Sequence, residues 1–213
     1  MDIAIINYGS GNIRSAAKAF EQVISAESEK RSVRVTDEAK YISQASHIVL
    51  PGVGAFGDCM NGLEKLPGMR EELERSVIKQ GKPFLGICVG MQLLASIGKE
   101  YGSHEGLGWI DSEVLQIQPS DNSLKVPHMG WNNLSININH PILKGISSGD
   151  HMYFVHSFYM NCKNKNNILA TTNHGQDMAA IVAKENILGV QFHPEKSQSK
   201  GLQFIKNFVQ WFP

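Results

Sequence analysis

GKPFLGICVGMQLLAS, residues Gly81 to Ser96, contains a change of period. Phe84 to Ile87 is a short apolar run behind a Lys-Pro turn signal, whereas from Met91 through Leu94 and Ala95 apolar residues recur at helical spacing. A buried strand is therefore expected to give way to a helix at Cys88. Gly86 and Gly90 flank the cysteine two residues to either side, as in a G-x-S-x-G nucleophile elbow. There a sharp strand-to-helix turn lifts the nucleophile clear of the sheet and tolerates no bulk beside it. A thiol so placed faces unpaired N–H groups at the start of the helix beginning at Val89, which suits a reactive sulfur and can hold a developing oxyanion. The competing reading is a small buried hydrophobe, the commonest fate of a free cysteine.

Upstream, Ile3 to Ile6 is a first buried strand, followed by the turn Tyr8-Gly9-Ser10-Gly11-Asn12 and a helix carrying Ile13, Ala16, Ala17, Phe20 and Val23 on one face. Arg14 stands where a dinucleotide fingerprint needs its third glycine, so this is a tight turn and not a nucleotide site. Arg31 to Val35 is a poor second strand, Val33 to Val35 its best part, and Asp37 is placed to cap a helix running to Ala45. His47 to Leu50 is a third strand, ending in Pro51-Gly52-Val53-Gly54-Ala55-Phe56. Two glycines and a proline directly after a strand free the backbone to turn N–H groups toward a ligand, though the same residues also make a plain turn.

Helical patterns span Gly57 to Leu66 and Met69 to Gln80, the second with a charged outer face. From Trp109 the chain turns β-rich, with strands expected at Ser112 to Ile117, Leu134 to Ile138, Tyr153 to Phe158, Ile168 to Thr172 and Met178 to Lys184. Together they suggest a mixed or antiparallel extension. Asn161 to Asn167 is an exposed loop, Ile187 to Phe192 a last apolar strand, and Leu202 to Trp211 a closing amphipathic helix. Neither repeats nor a linker divide the chain, so one α/β domain over residues 1–213 is expected.

Lysine plus arginine and aspartate plus glutamate number 20 each, so no net field steers the chain to nucleic acid or an anionic membrane. The amino terminus lacks a signal-peptide core and no run approaches a membrane span, which points to a soluble cytoplasmic protein. Three cysteines, Cys59, Cys88 and Cys162, have neither disulfide nor zinc spacing, so no metal and no cofactor are expected.

His193 follows the last strand, and Pro194 biases it toward extended backbone, in which residues i and i+2 project to the same side. Glu195 is then placed to accept from one ring nitrogen while the other faces outward, a base with its orienter, although a single His-Pro is more often a surface turn. With Cys88 also at a strand's carboxyl end, the three residues meet the logic of a nucleophile, base and orienter.

Gly86-Ile87-Cys88-Val89-Gly90-Met91-Gln92 and Gln191-Phe192-His193-Pro194-Glu195 together resemble the class I (triad) glutamine amidotransferases. That resemblance implies a flavodoxin-like α/β fold with a mixed, largely parallel central sheet flanked by helices. It implies hydrolysis of the glutamine side-chain amide through a cysteinyl thioester, with Cys88 as nucleophile, His193 as base and then acid, and Glu195 as orienter. Asn7 to Asn12, Leu50 to Phe56, Lys125 to Asn132 and Tyr153 to Phe158 resemble the branch of the family that passes ammonia to a separate (β/α)₈-barrel cyclase subunit in histidine biosynthesis, as a heterodimer. By the same resemblance Val89 with Val53 and Gly54 supplies the oxyanion donors, and Gly52, Gln92 and Glu100 hold glutamine. Val89 stands where the family more often has leucine, a change that keeps the backbone N–H. A paralogue feeding another synthase, such as one for surface-sugar amidation, and a catalytically idle partner-binding subunit are the alternatives. Asn12, Tyr153, His156 and Lys196 are candidates for the partner face.

Overall fold

The computed structural model describes residues 2–26, 31–121 and 123–213. Of the expected 1–213 span, residues 1, 27–30 and 122 lie outside that description. Strands β1 (Asp2–Ile6), β2 (Ser32–Thr36), β3 (His47–Gly52), β4 (Phe84–Cys88) and β14 (Ile187–Val190) run parallel in the order β2-β1-β3-β4-β14. The antiparallel strands β13 (Asp177–Lys184), β12 (Ile168–Asn173) and β9 (Ser135–Ile136) extend that sheet. This is the expected α/β class with a mixed, largely parallel sheet.

Every residue of β3, β4 and β14 is buried, as in parallel strands covered on both faces, which is why they stand out as unbroken apolar runs. β2 lies at the sheet edge and is mostly exposed, so it needs no such run and its weak signature in the sequence has a physical cause. Helices α1 (Ile13–Ser25) and α6 (Gln198–Gln210) pack together, Phe20 meeting Phe208 edge-on at 6.3 Å. His47 is fully buried beside Phe208, its Nε2 3.0 Å from the Trp211 carbonyl.

Several boundaries differ from expectation. Helix α2 (Ala39–Gln44) starts after Glu38, whose N–H is taken by Thr36 Oγ1 at 3.0 Å, so Asp37 is not its cap. Helices α3 (Phe56–Glu64) and α4 (Met69–Leu73), the latter continued in wider π turns over Glu74–Lys79, fall where helical patterns were expected. The helix after Cys88 does not run on through Ala95. Helix α5 is one turn, Val89–Gln92, and Ala95–Gly98 is strand β5. Met91, Leu93, Leu94 and Ala95 are fully buried, and a run buried all round carries no period that separates helix from strand. Pairing with β7 (Ile110–Gln116) decides it.

The β-rich second half is more than an extension of the main sheet. Strand β5 joins β6 (His104–Glu105), β7 and β11 (Phe158–Cys162) in a second sheet, while β8 (His128–Asn133) and β10 (His151–His156) form a separate antiparallel ribbon. The run expected as one strand over Tyr153 to Phe158 is broken at Ser157, where the chain passes from the ribbon to that sheet. β4 and β14 are neighbours in register, Ile87 opposite Val190, so residues leaving their carboxyl ends emerge side by side.

Candidate active site

Cys88 closes β4 and caps α5 with φ +54° and ψ −112°, a strained conformation for a residue with a Cβ. Such strain costs on the order of 1–3 kcal/mol and persists only where the surroundings impose it. The surroundings here are close-packed backbone. A Cβ on Gly86 would lie 2.4 Å from the Gly90 carbonyl oxygen, and one on Gly90 would lie 1.7 Å from that of Leu50, so both flanking glycines are required by close approach.

Cys88 shares a cavity of about 310 Å³ with Val53, Gly54, Val89, Gln92, Glu100, His156 and His193, the remaining wall coming from Pro127 and residues 155–158. His193 Nδ1 lies 2.9 Å from Glu195 Oε1, both side chains almost wholly buried. The pairing is made by a single 3₁₀ turn, Pro194–Lys196, and not by the extended segment expected from the sequence. With Nδ1–H donating to the carboxylate, Nε2 is left buried and without a hydrogen-bond partner among the described residues, on the same cavity as the thiol. Burial is the largest influence on the imidazole and pushes its pKa down. The Cys88 sulfur and the Glu195 carboxylate together push it up and prevail, to about 10. The protonated ring is thus stabilised by the sulfur and the carboxylate against the cost of burial.

Val53 and Gly54 line the cavity, and the Val53 carbonyl is anchored from behind by Ser10 Oγ and, at 3.4 Å, by Cys59 Sγ. Gly54 has φ +103° and open space where a Cβ would be. Gly52 does not share that freedom: a Cβ there would lie 2.6 Å from Tyr8 Oη and 2.7 Å from Gly90 N, and it is not on the cavity wall. The expectation that both glycines turn cheaply therefore holds for Gly54 alone. Glu100 reaches the cavity from beyond β5, its Oε2 taking the Phe56 N–H at 2.7 Å at the start of α3.

Gln92 Nε2 donates to the Phe158 carbonyl at 2.9 Å and to Gln191 Oε1 at 3.1 Å, and Gln191 Nε2 lies 3.7 Å from Cys88 Sγ. No role was assigned to Gln191 from the sequence. Its signal is a polar side chain inside the otherwise apolar run Ile187 to Phe192. His156, a candidate for the partner face, is instead buried, with Nδ1 2.8 Å from the Phe158 carbonyl and Nε2 2.9 Å from His128 Nδ1. His128 Nε2 faces Asn132 Nδ2 at 3.0 Å. The carbonyl and the amide fix the direction of this chain: each histidine donates through Nδ1 and accepts through Nε2, so both are neutral. Among the described residues no group of three or more His, Cys, Asp or Glu is arranged to hold a metal ion.

Burial lowers the pKa of His47 and His128 to about 4 and that of His156 to about 3. Below pH 6.5 the unfolded chain takes up protons that these folded histidines refuse, so stability falls as pH drops from about 6.5 toward 4, by on the order of 1 kcal/mol per histidine per pH unit. Thermal unfolding followed at pH 7 and pH 5 should show a clear drop in Tm at the lower pH. An unchanged Tm would mean that the three rings are not held neutral.

The chain belongs to the class I glutamine amidotransferases: the family model, glutamine amidotransferase class-I, matches residues 4–211. It is 50 % identical over 216 residues to the imidazole glycerol phosphate synthase subunit HisH of Brucella melitensis, each chain covered completely. The proteins of the same description from Agrobacterium fabrum and Rhodospirillum rubrum are 49 % and 48 % identical, again over the full length of both chains. A solved glutamine amidotransferase matches 97 % of each chain with a TM-score of 0.71 at 16 % identity. Another, from Thermotoga maritima, covers 99 % of this chain and 83 % of its own with a TM-score of 0.60 at 15 % identity. These two likenesses concern the fold.

Proposed function

We propose that this chain is the glutaminase subunit of imidazole glycerol phosphate synthase in histidine biosynthesis, acting as one domain over its length. It hydrolyses glutamine to glutamate and ammonia and passes the ammonia to a cyclase subunit with which it forms a heterodimer. The products there are imidazole glycerol phosphate and aminoimidazole carboxamide ribotide. The observation that carries the glutaminase reading is a buried imidazole, oriented by Glu195 and otherwise unpartnered at Nε2, on the cavity that holds the strained Cys88. Support for the branch comes from full-length identity near 50 % to the subunits named HisH.

In the reaction the Cys88 sulfur attacks the amide carbon of glutamine, and the carbonyl electrons move to an oxyanion held by the Val89 N–H and a donor from Val53 and Gly54. His193 Nε2 protonates the departing nitrogen, which leaves as ammonia. His193 then takes a proton from the water that attacks the thioester, releasing glutamate and returning the electron pair to sulfur. Gln92 and Glu100 face the substrate. Both amide hydrogens of Gln92 are already used, so it offers glutamine an acceptor oxygen. Met129 and Trp131, 63 % and 48 % exposed on the ribbon beside the cavity, suit a surface that a partner covers.

Reconstitution with the cyclase and its nucleotide ligand tests the reading through release of glutamate, and a complex that releases none overturns it. In that assay Glu195→Gln should retain measurable turnover above His193→Ala, because the carboxylate orients the ring and stabilises its charge without itself transferring a proton. Equal background rates for the two variants would refute this ranking.

A further inference from the structure

Gln191 is fully buried beside the reacting sulfur, directly after β14 and two residues before His193. Its backbone N–H is already satisfied by the Ala180 carbonyl at 2.9 Å, so the strand requires nothing of the side chain, and the tip of a buried amide needs partners of its own. The side-chain partners are Gln92 Nε2 at 3.1 Å on the oxygen side and Cys88 Sγ at 3.7 Å on the nitrogen side.

The orientation of this amide follows from a group that has no alternative. The Phe158 carbonyl only accepts, and it receives both His156 Nδ1 at 2.8 Å and Gln92 Nε2 at 2.9 Å. Gln92 must then present its NH₂ to Gln191, which must answer with its oxygen, leaving the Gln191 NH₂ aimed at sulfur. Turning Gln191 over would oppose two NH₂ groups and set a carbonyl oxygen against the sulfur lone pairs. We infer that Gln191 is a further catalytic residue: its side-chain N–H is a fixed donor to the Cys88 thiolate, held in that sense by Gln92 and the Phe158 carbonyl.

The inference rests on Cys88 being the nucleophile. A donor at this place acts whenever sulfur carries charge: before attack, and again when the tetrahedral intermediate from water addition collapses, the C–S bond breaks and the electron pair returns to sulfur. Hydrogen bonds to a charged partner are the strong ones, and burial excludes the water that would replace this donor. His193, on the same cavity, supplies the opposite charge, so the thiolate has both an imidazolium and an oriented amide for partners.

The test uses Gln191→Glu, which keeps the shape and the acceptor toward Gln92 but turns an oxygen to the sulfur, and Gln191→Leu, which removes the donor and keeps bulk. Both are made in the full chain with Cys59→Ala and Cys162→Ala, so that iodoacetamide reports on Cys88 alone. The half-point of the alkylation rate should move to higher pH in both variants. Glutamine turnover of the complex at neutral pH should fall by at least about tenfold, with KM for glutamine within a few-fold. Ammonium-dependent synthesis by the same complexes should be unchanged, which shows that the variants fold and dock; a variant that loses it is replaced by Gln92→Leu, which frees the Gln191 amide and should shift the alkylation profile the same way. An unshifted profile with undiminished turnover overturns the inference. Failure of the parent complex to hydrolyse glutamine would instead overturn the underlying assignment of Cys88.

Discussion

Cys88→Ala should abolish glutamine-dependent synthesis by the reconstituted complex while leaving synthesis from free ammonium intact. Loss of the nucleophile removes the covalent route altogether, and in hydrolases whose catalytic residues act as a unit that loss is on the order of a million-fold in turnover. Alanine fits without other damage. The Cys88 backbone is held by β4 and by the packing of Gly90 on Leu50, and the hydrogen bonds of its thiol are long, 3.9 Å to the Val155 carbonyl and 3.7 Å to Gln191. The other two cysteines should behave differently. Burial pushes both thiols up, Cys162 to about 11, which makes them poor nucleophiles, and neither borders the cavity. Cys59 does bond the Val53 carbonyl, but Ser10 bonds it too, so Cys59→Ala together with Cys162→Ala should keep turnover within a few-fold. Initial rates with glutamine and with ammonium as nitrogen source decide the matter, and a Cys88→Ala complex that fails with ammonium would sink the division of labour between the subunits.

Alone, the chain should hydrolyse glutamine at least about a hundredfold more slowly than the complex carrying its nucleotide ligand, because one missing oxyanion donor costs about a hundred- to a thousand-fold. The Val89 N–H is set by the turn that follows Cys88. The second donor must come from residues 53 and 54, where the freedom to move is unevenly distributed. Gly52 is wedged between Tyr8 and Gly90, and the Val53 carbonyl is tied back to Ser10 and Cys59, while Gly54 sits at φ +103° in open space. A trans peptide sends its N–H opposite to its carbonyl, so these two bonds set where the Gly54 N–H points. Val53 itself is 41 % exposed, which lets a docked partner reset this peptide from outside. Steady-state glutamate release is compared with and without the cyclase and its ligand. A lone subunit at full speed would mean that the donors are already in place.

The site was legible in the sequence to the extent that it is local. Cys88 between Gly86 and Gly90, and His193 two residues from Glu195, are short-range patterns whose spacing alone brings the groups to a turn or beside each other. The strands bearing them are buried on both faces and so had to be written as apolar runs. Gln191 and the pair His128 and His156 were not legible as parts of the site. What makes them so is contact across 103 residues for Gln191 with Cys88 and 28 for the two rings, and no spacing rule reaches that far.

The sequence by itself determined the buried strands of the core, the elbow and the His-Glu pair, because each depends on backbone sterics or on hydrophobic periodicity within about ten residues, whereas the parallel pairing of those strands came only from the family resemblance. Only the tertiary structure decided that the chain after Gln92 is strand and not helix, that β8 and β10 leave the main sheet as a ribbon, and which of the two loop glycines is free to turn. The reason is the same in each case. A segment buried on every side, or a glycine pressed against a distant backbone, takes its conformation from the neighbours that cover it, and those neighbours come from elsewhere in the chain.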